Sequence, residues 1–227
     1  MTQLVLSLFP GIGMLDAAFE LEGFTVVRGP DVLWGGDVRA FHPPAGRFDG
    51  IIGGPPCQAF SPIGNVNRAR WGADSVMPDM IPDFARVVLE AAPAWWLMEN
   101  SPRAYAPLAP CERFEFDCAW LGAAQRRRRA FWTNLKLKSL VHSQALALMP
   151  ADAGSERTVC SKTVDDGGNR AREGERSLED MLRLQGFPPD WIGHQPWTVA
   201  AMRKMVGNGV PLPMGRALAR AVREATA

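Results

Sequence analysis

The sequence predicts an α/β fold, a mixed and mostly parallel sheet with helices on both faces, and three observations carry that expectation. Short apolar, β-branched runs recur in the N-terminal part and are bounded by glycine or proline. Segments with helical apolar spacing separate them, as βαβ units require. The 227 residues are 47% hydrophobic, enough to bury one good core and so to form one large domain, alone or with a small appendage.

Leu4-Val5-Leu6-Ser7-Leu8-Phe9 reads as a first buried strand and Pro10-Gly11-Ile12-Gly13 as the turn after it. Met14 to Glu22 has the spacing of a helix with Leu15, Ala18 and Phe19 on one face, and Gly23 ends it. Phe24-Thr25-Val26-Val27 is a second strand, and Ile51-Ile52, after the Gly36-Asp37 turn, belongs to a third, so the opening is Rossmann-like. Phe84 to Leu89 has helical spacing and leads into a buried strand, Trp95-Trp96-Leu97-Met98, that terminates at Glu99-Asn100. Phe114 to Cys118 and Ala130 to Thr133 form a hairpin-like pair around Arg126-Arg127-Arg128-Arg129. From Leu135 to about Arg176 the texture changes, with few large apolar residues after Met149 and a polar stretch from Asp165 to Gly174, and loop or partial disorder is expected there. Order returns over Leu178 to Gln185, and a closing helix gathers Met214, Ala217, Leu218, Ala221 and Val222 on one face. The resulting division is residues 1–134, an α/β part, 135–177, an intervening segment, and 178–227, which returns to complete the first part.

Composition narrows the function classes. No apolar run approaches a membrane span, and the N-terminus has no basic region with a cleavage site, so a cytoplasmic location is expected. The four cysteines, Cys57, Cys111, Cys118 and Cys160, form no CxxC pair, and the three histidines, His42, His142 and His194, are scattered, which argues against structural zinc. Reduced thiols follow for an intracellular chain. A net charge of +1 does not announce a nucleic-acid binder, but the arginine cluster permits one.

The densest chemistry lies in Gly53-Gly54-Pro55-Pro56-Cys57-Gln58-Ala59-Phe60-Ser61. A cysteine alone is more often a small buried hydrophobe. Here two prolines stiffen its loop, Gln58 and Ser61 set polar groups beside the sulfur, and a preceding strand would project Cys57 from the carboxyl edge of the sheet. The turn Phe9-Pro10-Gly11-Ile12-Gly13 allows close approach of a ligand at the end of the first strand. It is no dinucleotide fingerprint, since the third glycine of GxGxxG would fall at Asp16. A nucleoside cofactor without pyrophosphate, such as S-adenosylmethionine, remains, beside the competing reading of an ordinary strand-to-helix turn.

The prolyl-cysteine segment resembles the catalytic loop of the DNA cytosine-C5 methyltransferases, and other pieces follow in that family's order. The resemblance implies the class I methyltransferase fold, with Cys57 as the nucleophile that adds to cytosine C6. It implies Glu99, in Glu99-Asn100-Ser101, as the acid at N3, with Ser101 in place of the usual valine. Gln125, Arg127 and Arg129 match its QxRxR pattern, Arg129 meeting cytosine O2 and Arg127 the loop or the DNA backbone. Phe9, Gly11, Ile12 and Gly13 are similar to its cofactor loop, with Ser7 and Met14 standing where Asp and Gly are usual; the first change removes a support and the second crowds the loop. Asp37 matches the acceptor of the adenine amino group and Asp31 the acid for the ribose, and Pro55 borders the cofactor. Gly207-Asn208-Gly209-Val210-Pro211 is similar to the last motif, where Asn208 and Val210 close the pocket, and Leu184-Gln185-Gly186-Phe187-Pro188 to the one before it. Gln58 and Ser61 join Arg127 as DNA contacts. Residues 135–177 would then be a recognition region, short against the roughly 600–1,000 Å² that single DNA-binding modules bury. A short motif, relaxed specificity or an accessory partner is implied, with Lys136, Lys138, Arg157, Lys162, Arg170 and Arg172 as candidate phosphate contacts. The leading reading is a monomeric, metal-free methyltransferase of duplex DNA that flips its base. Cytosine methylation in RNA and a non-catalytic DNA- or partner-binding homologue stay beside it.

Overall fold

The computed structural model describes residues 2–60, 62–148, 176–193 and 196–227. In chain order they form β1 (Leu4–Leu8), α1 (Met14–Leu21), β2 (Thr25–Arg28), β3 (Gly50–Gly53), α2 (Pro62–Trp71), α3 (Ile81–Ala91), β4 (Trp95–Asn100), β5 (Glu112–Asp117), β6 (Arg128–Thr133), α4 (Lys138–Leu148), α5 (Leu178–Leu184), α6 (Val199–Asn208) and α7 (Leu212–Ala225), with 3-10 turns at Val32–Trp34, Val38–Ala40 and Cys57–Phe60 among others. One six-stranded sheet runs β2-β1-β3-β4-β6-β5. The pairs β1–β2, β1–β3 and β3–β4 are parallel, whereas β4–β6 and β5–β6 are antiparallel. The strand order reverses between β1 and β3, the place where open α/β sheets bind ligands.

Strand alternation sorts the apolar residues into two layers. Val5, Ile52, Trp95, Leu97 and Phe131 face α1, α4 and α7, contributing to a core with Phe19, Met214, Leu218 and Val222. Leu6, Leu8, Ile51, Trp96, Met98 and Trp132 face α3, which brings Ile81, Phe84 and Val88. The expected closing helix and hairpin pair are both present.

Two differences from the sequence reading are physical. Helix α4 lies within the segment expected to be loop-rich; its buried Val141 and Ala145 belong to the first core. Lys136 and Lys138 are exposed just before and at the start of that helix. Arg157, Lys162, Arg170, Arg172 and the rest of the polar stretch to residue 175 lie outside the described residues, as does Ser61. Met14 does not crowd the loop: it is 2% exposed and packs in a third cluster with Met181, Leu182 and Val206, tying the chain's return to the start of α1.

That return is locked electrostatically. The Glu22 carboxylate accepts from Arg216 Nε at 2.7 Å and Arg220 Nε at 3.0 Å, and its backbone carbonyl from Arg223 at 2.8 Å. Its side chain is 6% exposed, so removing it leaves three guanidiniums facing one another. Glu22→Ala is expected to cost about 2–3 kcal/mol of stability. Chemical denaturation checks this, and a change below about 0.5 kcal/mol, the size of a neutral surface substitution, contradicts it.

Candidate active site

The carboxyl ends of β3 and β4 carry the two reactive groups side by side. Beyond Gly53 the chain passes Glu99 so closely that a Cβ on Gly54 would stand 3.1 Å from Glu99 Oε2. Two prolines then lead into the 3-10 turn that bears Cys57. Asn100, wholly buried, fixes this path: its Nδ2 donates to the Pro55 carbonyl at 3.0 Å while its Oδ1 accepts from Ser101 N at 2.7 Å. Sequence reasoning missed Asn100, whose only signal was its place beside Glu99. Gln58 turns inward to the fold, its Oε1 accepting from Met77 N at 3.0 Å, which pins the neck of the excursion carrying α2.

Glu99 receives Arg129 Nε at 2.8 Å, with Glu99 11% and Arg129 21% exposed at the side chain. The arginine run is not a basic face, because alternate residues point to opposite sides. Arg126 and Arg128 are exposed, Arg128 pairing with Glu115 at 2.6 Å, whereas Gln125 and Arg127 are buried. The placements of Gln125 and Arg127 differ from expectation. Gln125 donates to the Leu184 carbonyl and to Gln185 Oε1, both at 2.8 Å, which couples the arginine segment to the C-terminal return. Arg127 is 2% exposed and donates to the Asn208 carbonyl at 3.2 Å, so it has almost no surface to offer a DNA backbone. Burial and the neighbouring Arg129 push its pKa down to about 9.

The Cys57 thiol, half-buried, is pushed up from its ordinary value by burial first and by Glu99 second, while Arg129 and Arg127 pull it down. The thiolate is therefore a minority at neutral pH. Alkylation of Cys57 by iodoacetamide is expected to rise about tenfold per pH unit from about pH 7 to 9 without levelling off. A plateau near neutrality contradicts this electrostatic environment.

At the end of β1 the backbone takes unusual angles, with φ 56° at Phe9, 55° at Gly11 and 81° at Gly13. Positive φ at a phenylalanine is strain of the kind that collects at functional loops. The turn after β2 grips this loop on both sides of Gly11. Asp31 Oδ2 accepts from Gly11 N at 2.9 Å, and Trp34 Nε1 donates to the Gly11 carbonyl at 3.0 Å. Asp31 thus holds the loop itself, with its other oxygen accepting from Leu33 N, in place of standing free for a ribose. Trp34 escaped the sequence reading; it is 55% exposed and meets Trp197 edge-on at 5.0 Å. Ile12 is half-buried against the third cluster. Asp37 caps its own turn and pairs with Arg39 at 2.7 Å, which holds its carboxyl below the usual range. Asn208, exposed, ends α6, whereas Val210 is buried in the main core and supports the site from below. The Ser7 hydroxyl donates to Asp16 Oδ1 at 2.5 Å, and Asp16 Oδ2 accepts from Arg28 Nε at 3.1 Å.

A Rossmann-like sheet with a cysteine, an acid and an arginine gathered at its strand ends defines a methyltransferase-type enzyme fold, and the architecture is similar to that of the crystal structure of S. pombe Dnmt2 methyltransferase. That likeness has a TM-score of 0.65 at 12% identity and covers 99% of each chain. The profile of the C-5 cytosine-specific DNA methylases matches residues 36–107 and 151–224, and the chain belongs to that family. Type II methyltransferase M.NgoPII of Neisseria gonorrhoeae is 31% identical over 114 residues, 42% of this chain and 32% of its own length. M.DdeI of Desulfomicrobium norvegicum (strain DSM 1741 / NCIMB 8310) is 24% identical over 202 residues, 71% of this chain and 48% of its own length. The chain thus spans about a third to a half of the length of these curated relatives. Among the described residues no helix is long and apolar enough to cross a membrane, and no group of three His, Cys, Asp or Glu side chains could hold a metal.

Proposed function

We propose that this chain transfers a methyl group from S-adenosylmethionine to C5 of cytosine in duplex DNA, acting on a base flipped out of the stack. The observation that carries the reading is the convergence of Cys57, Glu99 and Arg129 at the carboxyl edge, with Glu99 paired to Arg129 and both charges acting on the thiol. Glu99 and Cys57 lie on adjacent strand ends, which suits attack on C6 and proton donation to N3 of the same ring. The thiolate of Cys57 forms a bond to C6, the displaced C5=C6 electron pair moves into the ring, and the proton that the thiol gave up reaches N3 through Glu99. Arg129 stabilises charge at O2. After C5 has been methylated, loss of its proton to a base and expulsion of the thiolate restore the ring, and the N3 proton returns. A flipped base is required because C6 cannot be reached inside a stacked duplex.

The loop after β1 fits the methyl donor. A Cβ on Gly11 would meet nothing within 4 Å, so space lies open over that glycine. Phe9, Gly11, Ile12, Gly13, Asp37, Pro55 and Asn208 would hold it. When bound, it supplies an electrophilic methyl on a sulfonium. A monomer that wraps a duplex, with any accessory partner supplying sequence specificity, completes the proposal.

Transfer of labelled methyl from S-adenosylmethionine to unmethylated genomic DNA tests it, followed by base-resolution mapping. Labelling that depends on Cys57 and maps to cytosine C5 supports the reading. Labelling of structured RNA in place of DNA overturns the substrate, and cofactor binding with no transfer to either overturns the activity.

A further inference from the structure

We infer that Arg28 recognises the carboxylate of the cofactor's amino-acid end, an inference that rests on the S-adenosylmethionine reading above. Arg28 ends β2 in register with Ser7 of β1, at the same carboxyl edge as the cofactor loop. Asp16 is fully buried, and a buried carboxylate needs compensation. Ser7 supplies one hydrogen bond, and Arg28 supplies another, but only through Nε.

If neutralising Asp16 were its whole purpose, the guanidinium would do better to meet the carboxylate fork to fork. Instead neither terminal nitrogen has a partner among the described residues. Nη2 lies on Gly13, whose missing side chain makes the room: a Cβ there would stand 2.8 Å from Arg28 Cζ and collide with Nη2. The side chain is 48% exposed, so the fork stays accessible while its root is fixed in the interior. A guanidinium held at Nε with its planar fork free, beside a loop of strained backbone, suits bidentate recognition of a carboxylate. The carboxylate is the one full negative charge that S-adenosylmethionine carries. The ligand class is therefore a nucleoside sulfonium or thioether bearing an α-amino acid, and the Ser7–Asp16 pair is the device that positions its reader.

Calorimetry on the whole chain with S-adenosylmethionine and its decarboxylated analogue tests this without any mutation. The intact cofactor is expected to bind about tenfold more tightly, the size of one lost charged hydrogen-bonding pair. Arg28→Met should remove that preference, weakening S-adenosylmethionine about tenfold and leaving the analogue within about twofold, with Arg28→Lys in between. Equal affinity of the wild type for both ligands, or an equal loss for both in Arg28→Met, overturns the inference and leaves the cofactor reading standing. A wild type that binds neither ligand overturns the cofactor reading and this inference with it.

Discussion

Glu99→Gln should slow methyl transfer by about 10²- to 10⁴-fold, the range for loss of a general acid, and at the same time make Cys57 react faster with iodoacetamide. The two signs follow from one geometry. Glu99 sits beside the prolyl-cysteine path and pushes the thiol up, whereas Arg129 pulls it down. Removing the carboxylate charge leaves Arg129 unopposed, so the thiolate fraction at a fixed pH rises even as the proton for cytosine N3 is lost. A variant that merely unfolds the site would slow turnover and would expose the thiol at every pH, so the check is the pH profile of alkylation. It should keep its slope and shift to lower pH. An unchanged alkylation rate would separate Glu99 from Cys57 and remove the acid from the site.

Asn100→Leu carries the second large effect, although Asn100 touches no substrate. Its amide is the buried clasp between the strand that bears Glu99 and the loop that bears Cys57. Leucine leaves the Pro55 carbonyl and the Ser101 amide without it, and frees the cysteine loop to drift. Misplacement of reacting groups by about 1 Å costs on the order of a hundredfold in rate. Covalent capture of cytosine should therefore fall about a hundredfold, with cofactor affinity changed by less than about threefold. Single-turnover kinetics beside calorimetry separates the two quantities. Equal losses in both would mean that the clasp holds the whole fold and not the reacting pair.

The layout of the first three strands and the loops at their ends was legible because glycine and proline bracket them and apolar residues fill them. Helix α2 was not, since Pro62–Trp71 has no apolar stripe to announce it. Helix α4 hid for a different reason: it buries only Val141 and Ala145, and apolar residues exposed on it, Leu146 and Leu148, blur that narrow face. At the site, Cys57, Glu99 and Arg129 could be chosen from motif and chemistry together. Gln125 and Arg127 were found by the same pattern, but their work is inside the fold, because strand alternation near β6 turns every second residue inward. Asn100, Trp34 and Arg28 were invisible in sequence, because each acts on a partner that only the folded chain brings near. Asn100 meets Pro55 across 45 residues and Trp34 meets Gly11 across 23.

The measurement closest to the central claim is covalent trapping. Duplex DNA substituted with 5-fluorocytosine throughout, incubated with the protein and S-adenosylmethionine, should yield a complex that survives denaturation. Mass spectrometry should place the link on the Cys57 sulfur, and Cys57→Ala should form none. Cofactor binding without any such complex, or a complex that persists in Cys57→Ala, would contradict nucleophilic catalysis by Cys57.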